Sequence, residues 1–118
     1  MKNLFLALIL ATATFISTLA QAEQVNIYSF RQPFLIEPIL AEFTKETGIK
    51  TKVIFAKKGL IQRLKREGEL SPADLVLTSD FNKLLQLKEQ GLSQAFELTA
   101  NLTSIPIQFR DSENQWLA

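Results

Sequence analysis

The chain has 118 residues, 47% hydrophobic and 21% charged, with 13 Lys+Arg against 12 Asp+Glu. This balance fits one small globular domain and excludes a disordered chain, a collagen-like fibre and a multi-domain enzyme. With no Cys and no His, there is no disulfide framework, Cys/His zinc site, cysteine nucleophile or Ser-His-Asp triad. The net charge of +1 gives no electrostatic reason to expect nucleic acid as a partner.

The segment Met1–Ala22 reads as a targeting signal rather than as part of the fold. Lys2 supplies a positive start, Leu4 to Ile16 is an almost unbroken apolar stretch, and Ala20-Gln21-Ala22 has the small-x-small pattern of a secretory cleavage site. The apolar run falls short of the ~18 to 20 residues of a spanning helix. The expectation is a cleaved signal peptide over residues 1–22, no stable membrane span after cleavage, and a mature chain Glu23–Ala118 located in a bacterial periplasm. Loss of Lys2 leaves that mature chain with balanced charge.

A strand–helix rhythm follows. Val25 to Ser29 alternates apolar and polar residues and predicts a strand. Ile36, Ile39, Leu40 and Phe43 recur at the spacing of an amphipathic helix. Pro38 is expected in its first turn, where a missing N–H costs nothing, and Gly48 at its left-handed end. Ile49, Thr51, Val53 and Phe55 alternate as a second strand. Leu60, Ile61 and Leu64 stripe a second helix closed by Gly68, with Arg63 to Glu67 supplying much of its solvent face. Leu75-Val76-Leu77 is a continuous apolar run, expected for a strand covered on both faces. Phe81, Leu84 and Leu85 stripe a third helix, closed by Gly91 and capped by Ser79 or Asp80. After Gly91 the rhythm fails. Residues 97–105 predict a loop with a short helix, Asp111 to Asn114 a turn, and Gln115 to Ala118 the start of a strand.

Evenly spaced strand–helix units predict an α/β fold, βαβαβα, with a mainly parallel sheet and right-handed crossovers. The alternating second strand belongs at an edge and the continuous third nearer the centre, giving the order 2-1-3. Ligands of such sheets bind beyond the carboxyl ends of the strands, near the switch point. Two loops meet that description: Ser29-Phe30-Arg31-Gln32-Pro33 and Thr78-Ser79-Asp80. Both lead into helix N-termini, which favour anions. Arg31 can clamp a carboxylate, carbonate or phosphate at two points. Ser29, Thr78 and Ser79 offer hydroxyls, and Asp80 can orient a neighbouring donor. Simpler roles stand beside these: Ser79 and Asp80 as helix caps, Arg31 as a surface partner of Glu37, Tyr28 as a core or cleft-wall residue, and Trp116 as core or interface. Lys57-Lys58-Gly59 lacks the spacing of a phosphate loop and reads as a solvated turn. No base–nucleophile pair and no glycine-rich dinucleotide fingerprint is present, so binding is favoured over catalysis.

Several stretches together resemble the periplasmic ferric-iron-binding proteins, the solute-binding components of iron ABC importers. They are VNIYSFRQ from Val25, FTKETGIK from Phe43, FAKKGL from Phe55, SPADLVLTSD from Ser71, and Phe109-Arg110-Asp111 followed by Trp116. The resemblance implies a two-lobed, non-enzymatic protein that closes around ferric iron and delivers it to an ABC permease in the inner membrane. Residues 23–118 correspond to the first part of lobe one of a type II periplasmic binding protein, so the expectation is a truncated chain. The family's main iron ligands are second-lobe tyrosines, including an adjacent pair, with no counterpart here. Many members also place His or His-Tyr after the first strand, where this chain has Gln32-Pro33. A glutamine amide is a poor ligand for hard Fe(III). The resemblance therefore implies no direct metal ligand and no intrinsic cofactor in this segment; Ser29, Arg31, Gln32, Thr78, Ser79 and Asp80 are candidates to hold a synergistic anion or water on the metal. Two alternatives remain open: the same fold serving an anion, polyamine or other small solute, and a small exported interaction domain.

Overall fold

The computed structural model describes residues 23–118; the predicted signal peptide lies outside them. The elements run β1 (Gln24–Ser29), α1 (Pro33–Thr47), β2 (Lys50–Phe55), α2 (Leu60–Glu67), β3 (Leu75–Leu77), α3 (Phe81–Glu89) and a short α4 (Ala100–Thr103). One-turn 3-10 helices follow α2 at Gly68–Leu70 and α4 at Ile107–Phe109. The sheet is three-stranded in the order β2-β1-β3, and both pairings are parallel. This is the order expected from the sequence.

The strand registers bring the carboxyl ends level, with Ser29 opposite Phe55 on one side and Leu77 on the other. Asp74 fixes the start of β3. Its carboxylate accepts from the Asn26 backbone N–H at 2.8 Å and from the Asn26 amide at 3.1 Å. Five buried side chains, Tyr28, Leu60, Ile61, Leu64 and Leu87, form one cluster under the carboxyl half of β1. Phe30, Ile54, Ala56, Ala73, Val76 and Leu92 pack against it. The α2 stripe read from the sequence is thus the element that closes this core.

Three details differ from the sequence expectation. First, α1 begins at Pro33, so Pro38 lies inside it. Pro33 takes the first helical position, where its fixed φ suits the helix, and Pro38 forgoes one backbone hydrogen bond a turn later. Second, only part of the α1 stripe is covered. Ile36 is buried and Leu40 half-buried, while Ile39 is 71% exposed and Phe43 lies at the surface. The covered line runs through Ile36, Leu40 and Thr44, narrower than the amphipathic face because a small sheet offers little area. Third, β3 is less covered than its continuous apolar run suggests, with no strand beside it on the side away from β1 among the described residues. Leu75 is 49% exposed, and a concavity of about 930 Å³ opens beside β3 between Leu77, Leu84, Phe96, Leu102 and Trp116.

Gly48 sits at φ 74° and donates its N–H to the Thr44 carbonyl at 2.8 Å. This left-handed end of α1 is a conformation a Cβ would oppose, and it feeds the chain directly into β2. The predicted turn after Asp111 also forms, with Asn114 at φ 57°.

The last residues fold back as a hairpin joined by one antiparallel bridge, Arg110 with Leu117. Part-buried ion pairs hold it to α3. Lys88 Nζ lies 2.7 Å from the Asp111 carboxylate and 2.6 Å from that of Glu113. Asp111 also accepts from the Gln115 N–H, and Trp116 meets Phe81 edge-on at 5.1 Å between ring centres. The hydrogen bond from Lys88 holds the Asp111 carboxyl below its usual value. Such a group contributes stability above its unfolded pKa, and the contribution is lost as pH falls through the depressed folded value. Acidification well below the ordinary aspartate value of about 3.9 is therefore expected to free the hairpin and shift Trp116 fluorescence. Lys88→Met should move that midpoint to higher pH. Identical pH midpoints in the two proteins would contradict the assignment.

Candidate functional site

The carboxyl ends of the three strands are tied together by backbone bonds. The Phe30 N–H donates to the Leu77 carbonyl at 2.9 Å, and the Ala56 N–H to the Ser29 carbonyl at 3.1 Å. The loops after β1 and β3 thus emerge side by side, and the loop after β2 flanks them. This brings together the six candidate residues, drawn from stretches nearly fifty positions apart.

Their side chains are not equally available. Ser29 is fully buried. Its hydroxyl accepts from the Arg31 N–H at 3.0 Å and donates to the Arg31 carbonyl at 2.8 Å. Ser29 therefore shapes the loop rather than facing a ligand. Arg31, half-buried, makes no ion pair among the described residues, so its guanidinium fork is open. Gln32 is the extended residue before α1, and its side chain does not cap the helix. Thr78 accepts the Asp80 N–H at 3.0 Å, which leaves its own hydroxyl proton to donate. Asp80 caps α3: one carboxylate oxygen accepts the Asn82 N–H at 2.9 Å, and the other lies 3.4 Å from Lys83 Nζ. Ser79 is exposed beside it.

Tyr28, the single tyrosine, points elsewhere. It is fully buried and donates its hydroxyl to Glu67 on α2 at 2.8 Å. Glu67 also accepts from Arg63 Nε at 2.7 Å and from the Ser71 hydroxyl at 2.8 Å, and the Arg63 guanidinium lies 4.9 Å from the centre of the Tyr28 ring. Burial first, then the hydrogen bond to Glu67, raises the phenol above its usual value. The hydrogen bonds from Arg63, Ser71 and Tyr28 hold the Glu67 carboxyl down. At neutral pH Tyr28 is a protonated structural donor and not a phenolate ligand. Arg63 and Glu67, expected on the solvent face, are half-buried because they complete this network.

No cluster of three or more carboxylate, His or Cys side chains able to hold a metal occurs among the described residues. The site offers cations, hydroxyls and amides, a donor set suited to an anion. Lys57 and Lys58, exposed as expected of a solvated turn, and Lys83 also border this end of the sheet. The Lys57-Lys58-Gly59 run is the local signal for the first two, and none marks Lys83.

No protein-family model matches the chain. Individual proteins do. A crystal structure of Mannheimia haemolytica ferric iron-binding protein A, in an open conformation, superposes with a TM-score of 0.76 at 51% identity, over 81% of this chain and 30% of that one. The chain is a homologue of the ferric-iron-binding periplasmic proteins. Iron uptake protein A1 of Synechocystis is 35% identical over 100 residues, 84% of this chain and 28% of that protein. The Fe(3+)-binding periplasmic protein of Serratia marcescens is 30% identical over 100 residues, 83% of this chain and 29% of that protein. The chain thus spans less than a third of the length of these relatives. All three are named for binding or uptake of iron and none for a catalysed reaction. No helix among the described residues is long and apolar enough to cross a membrane.

Proposed function

We propose that residues 23–118 form the first-lobe part of a periplasmic ferric-iron-binding protein of an ABC importer, exported by a cleavable signal peptide at residues 1–22. The observation that carries this reading is the likeness to the Mannheimia protein, at 51% identity and a TM-score of 0.76. Arg31 and Gln32 after β1, with Thr78 and Ser79 after β3, hold a synergistic anion or water on the iron. Ser29 sets the loop and Asp80 caps the helix behind it. The iron itself takes its anionic oxygen ligands from outside this segment, because the one tyrosine here is buried and already bonded. The loaded protein then presents iron to an inner-membrane permease.

Of the other solutes the fold can carry, a polyamine is disfavoured by charge. Arg31, Lys57, Lys58 and Lys83 border the carboxyl end of the sheet, and the carboxylate of Asp80 is engaged by Asn82 and Lys83. The test is a chimera in which residues 23–118 replace the matching stretch of the Mannheimia protein. It is expected to take up Fe(III) stoichiometrically with a visible charge-transfer band. Arg31→Ala in the chimera is expected to weaken uptake about tenfold through loss of a charge-assisted contact. A folded chimera that takes up no iron overturns the reading.

A further inference from the structure

A second pocket, of about 160 Å³, lies beside the β2–α2 turn and is bordered by Phe30, Lys57, Lys58, Gln62, Lys83 and Gln86, together with Gly59 of the turn and Ile61 of α2. We propose that this pocket is an anion site for a small multiply charged ligand bearing phosphate or carboxylate groups, separate from the iron ligands and formed within this chain alone.

The charge distribution carries the argument. Three of the bordering side chains are ammonium groups and none is a carboxylate. Lys57 and Lys58 make no ion pair among the described residues, and Lys83 makes only the long contact to Asp80 at 3.4 Å. Like charges around one pocket are mutually unfavourable, and a cleft lined by one sign concentrates counter-ions. A bound polyanion relieves that repulsion where a monovalent one reaches fewer of the ammonium groups. The Lys83 side chain is also held in place, with its Nζ 5.0 Å from the centre of the Phe30 ring, an arrangement favoured by the ring quadrupole. Gln62 and Gln86 add neutral amide donors at the rim. The chain trace helps as well. Gly59 at φ 85° links the lysine pair to α2, and α2 begins there without a side-chain cap, so its first N–H groups add to the positive field. The pocket is small, which limits the ligand to the size of pyrophosphate or a short polycarboxylate.

The experiment is a titration of the iron-free chain with inorganic pyrophosphate at constant ionic strength, followed by amide NMR. Saturable shifts are expected at Phe30 and at Gly59 to Gln62. Lys58→Gln and Lys83→Gln should each weaken binding about tenfold. Lys65→Gln, on the exposed side of α2, should leave it unchanged within twofold. Non-saturating shifts, or equal losses for all three variants, would mean diffuse attraction to surface charge and would overturn the proposal. Iron is absent throughout, so the result is independent of the iron-binding reading.

Discussion

Leu60→Ala is expected to unfold much of the chain. Leu60 is 1% exposed and stands at the centre of the cluster with Tyr28, Ile61, Leu64 and Leu87. Alanine is a better helix former than leucine, so the change spares α2 itself and isolates the packing loss. Large-to-small changes at such sites cost about 2–5 kcal/mol, the upper values where the cavity cannot collapse. Here the site is braced by β1 beneath and α2 around it, which favours the upper half of that range. Small domains hold only about 5–15 kcal/mol in total, and one whose third strand is half uncovered belongs near the bottom. Urea unfolding should show a midpoint lowered by more than half. Leu70→Ala is the control, because Leu70 is 91% exposed; it should change stability by less than about 0.5 kcal/mol. Equal effects from the two substitutions would contradict the placement of the core.

Much of the fold was legible because its signals are local. Alternation in Val25 to Ser29, the Leu60-Ile61-Leu64 stripe and glycines just past the helices each follow from backbone geometry within a few residues. The strand order 2-1-3 followed from the contrast between the alternating second strand and the continuous apolar third. What escaped depends on how much surface is available to cover a given side chain. Ile39 and Phe43 have the right spacing for a core face, yet three short strands cannot cover a fifteen-residue helix. The same shortage leaves Leu75 half exposed. Pro38 misled for a different reason: two prolines compete for the helix start, and the one at Pro33 wins because Gln32 before it is already extended.

The site was legible as a place but not as a set of side chains. The topology of an open parallel sheet locates the ligand end, and both candidate loops are there. Whether a hydroxyl faces outward is decided by conformation within the loop. Ser29 turns its hydroxyl onto its own neighbour Arg31, and Asp80 spends its carboxylate on the α3 N-terminus. The lysine pocket joins the β2–α2 turn to α3 beside Phe30, a juxtaposition with no local signature in either segment. The Tyr28–Glu67–Arg63 network escaped likewise, since a charged pair four residues apart on a helix reads as solvated until a buried phenol is found against it.

Titration of the chain with Fe(III) presented as a weak chelate tests most directly the central claim that this segment supplies the cradle and not the metal's anionic ligands. Absorbance from the near-ultraviolet through the visible reports any tyrosinate–iron bond, and Tyr28 is the sole tyrosine able to give one. The account predicts no new band and no stoichiometric complex, with Tyr28 still protonated and bonded to Glu67. A tight one-to-one complex with a visible charge-transfer band, formed by the folded chain on its own, would contradict it.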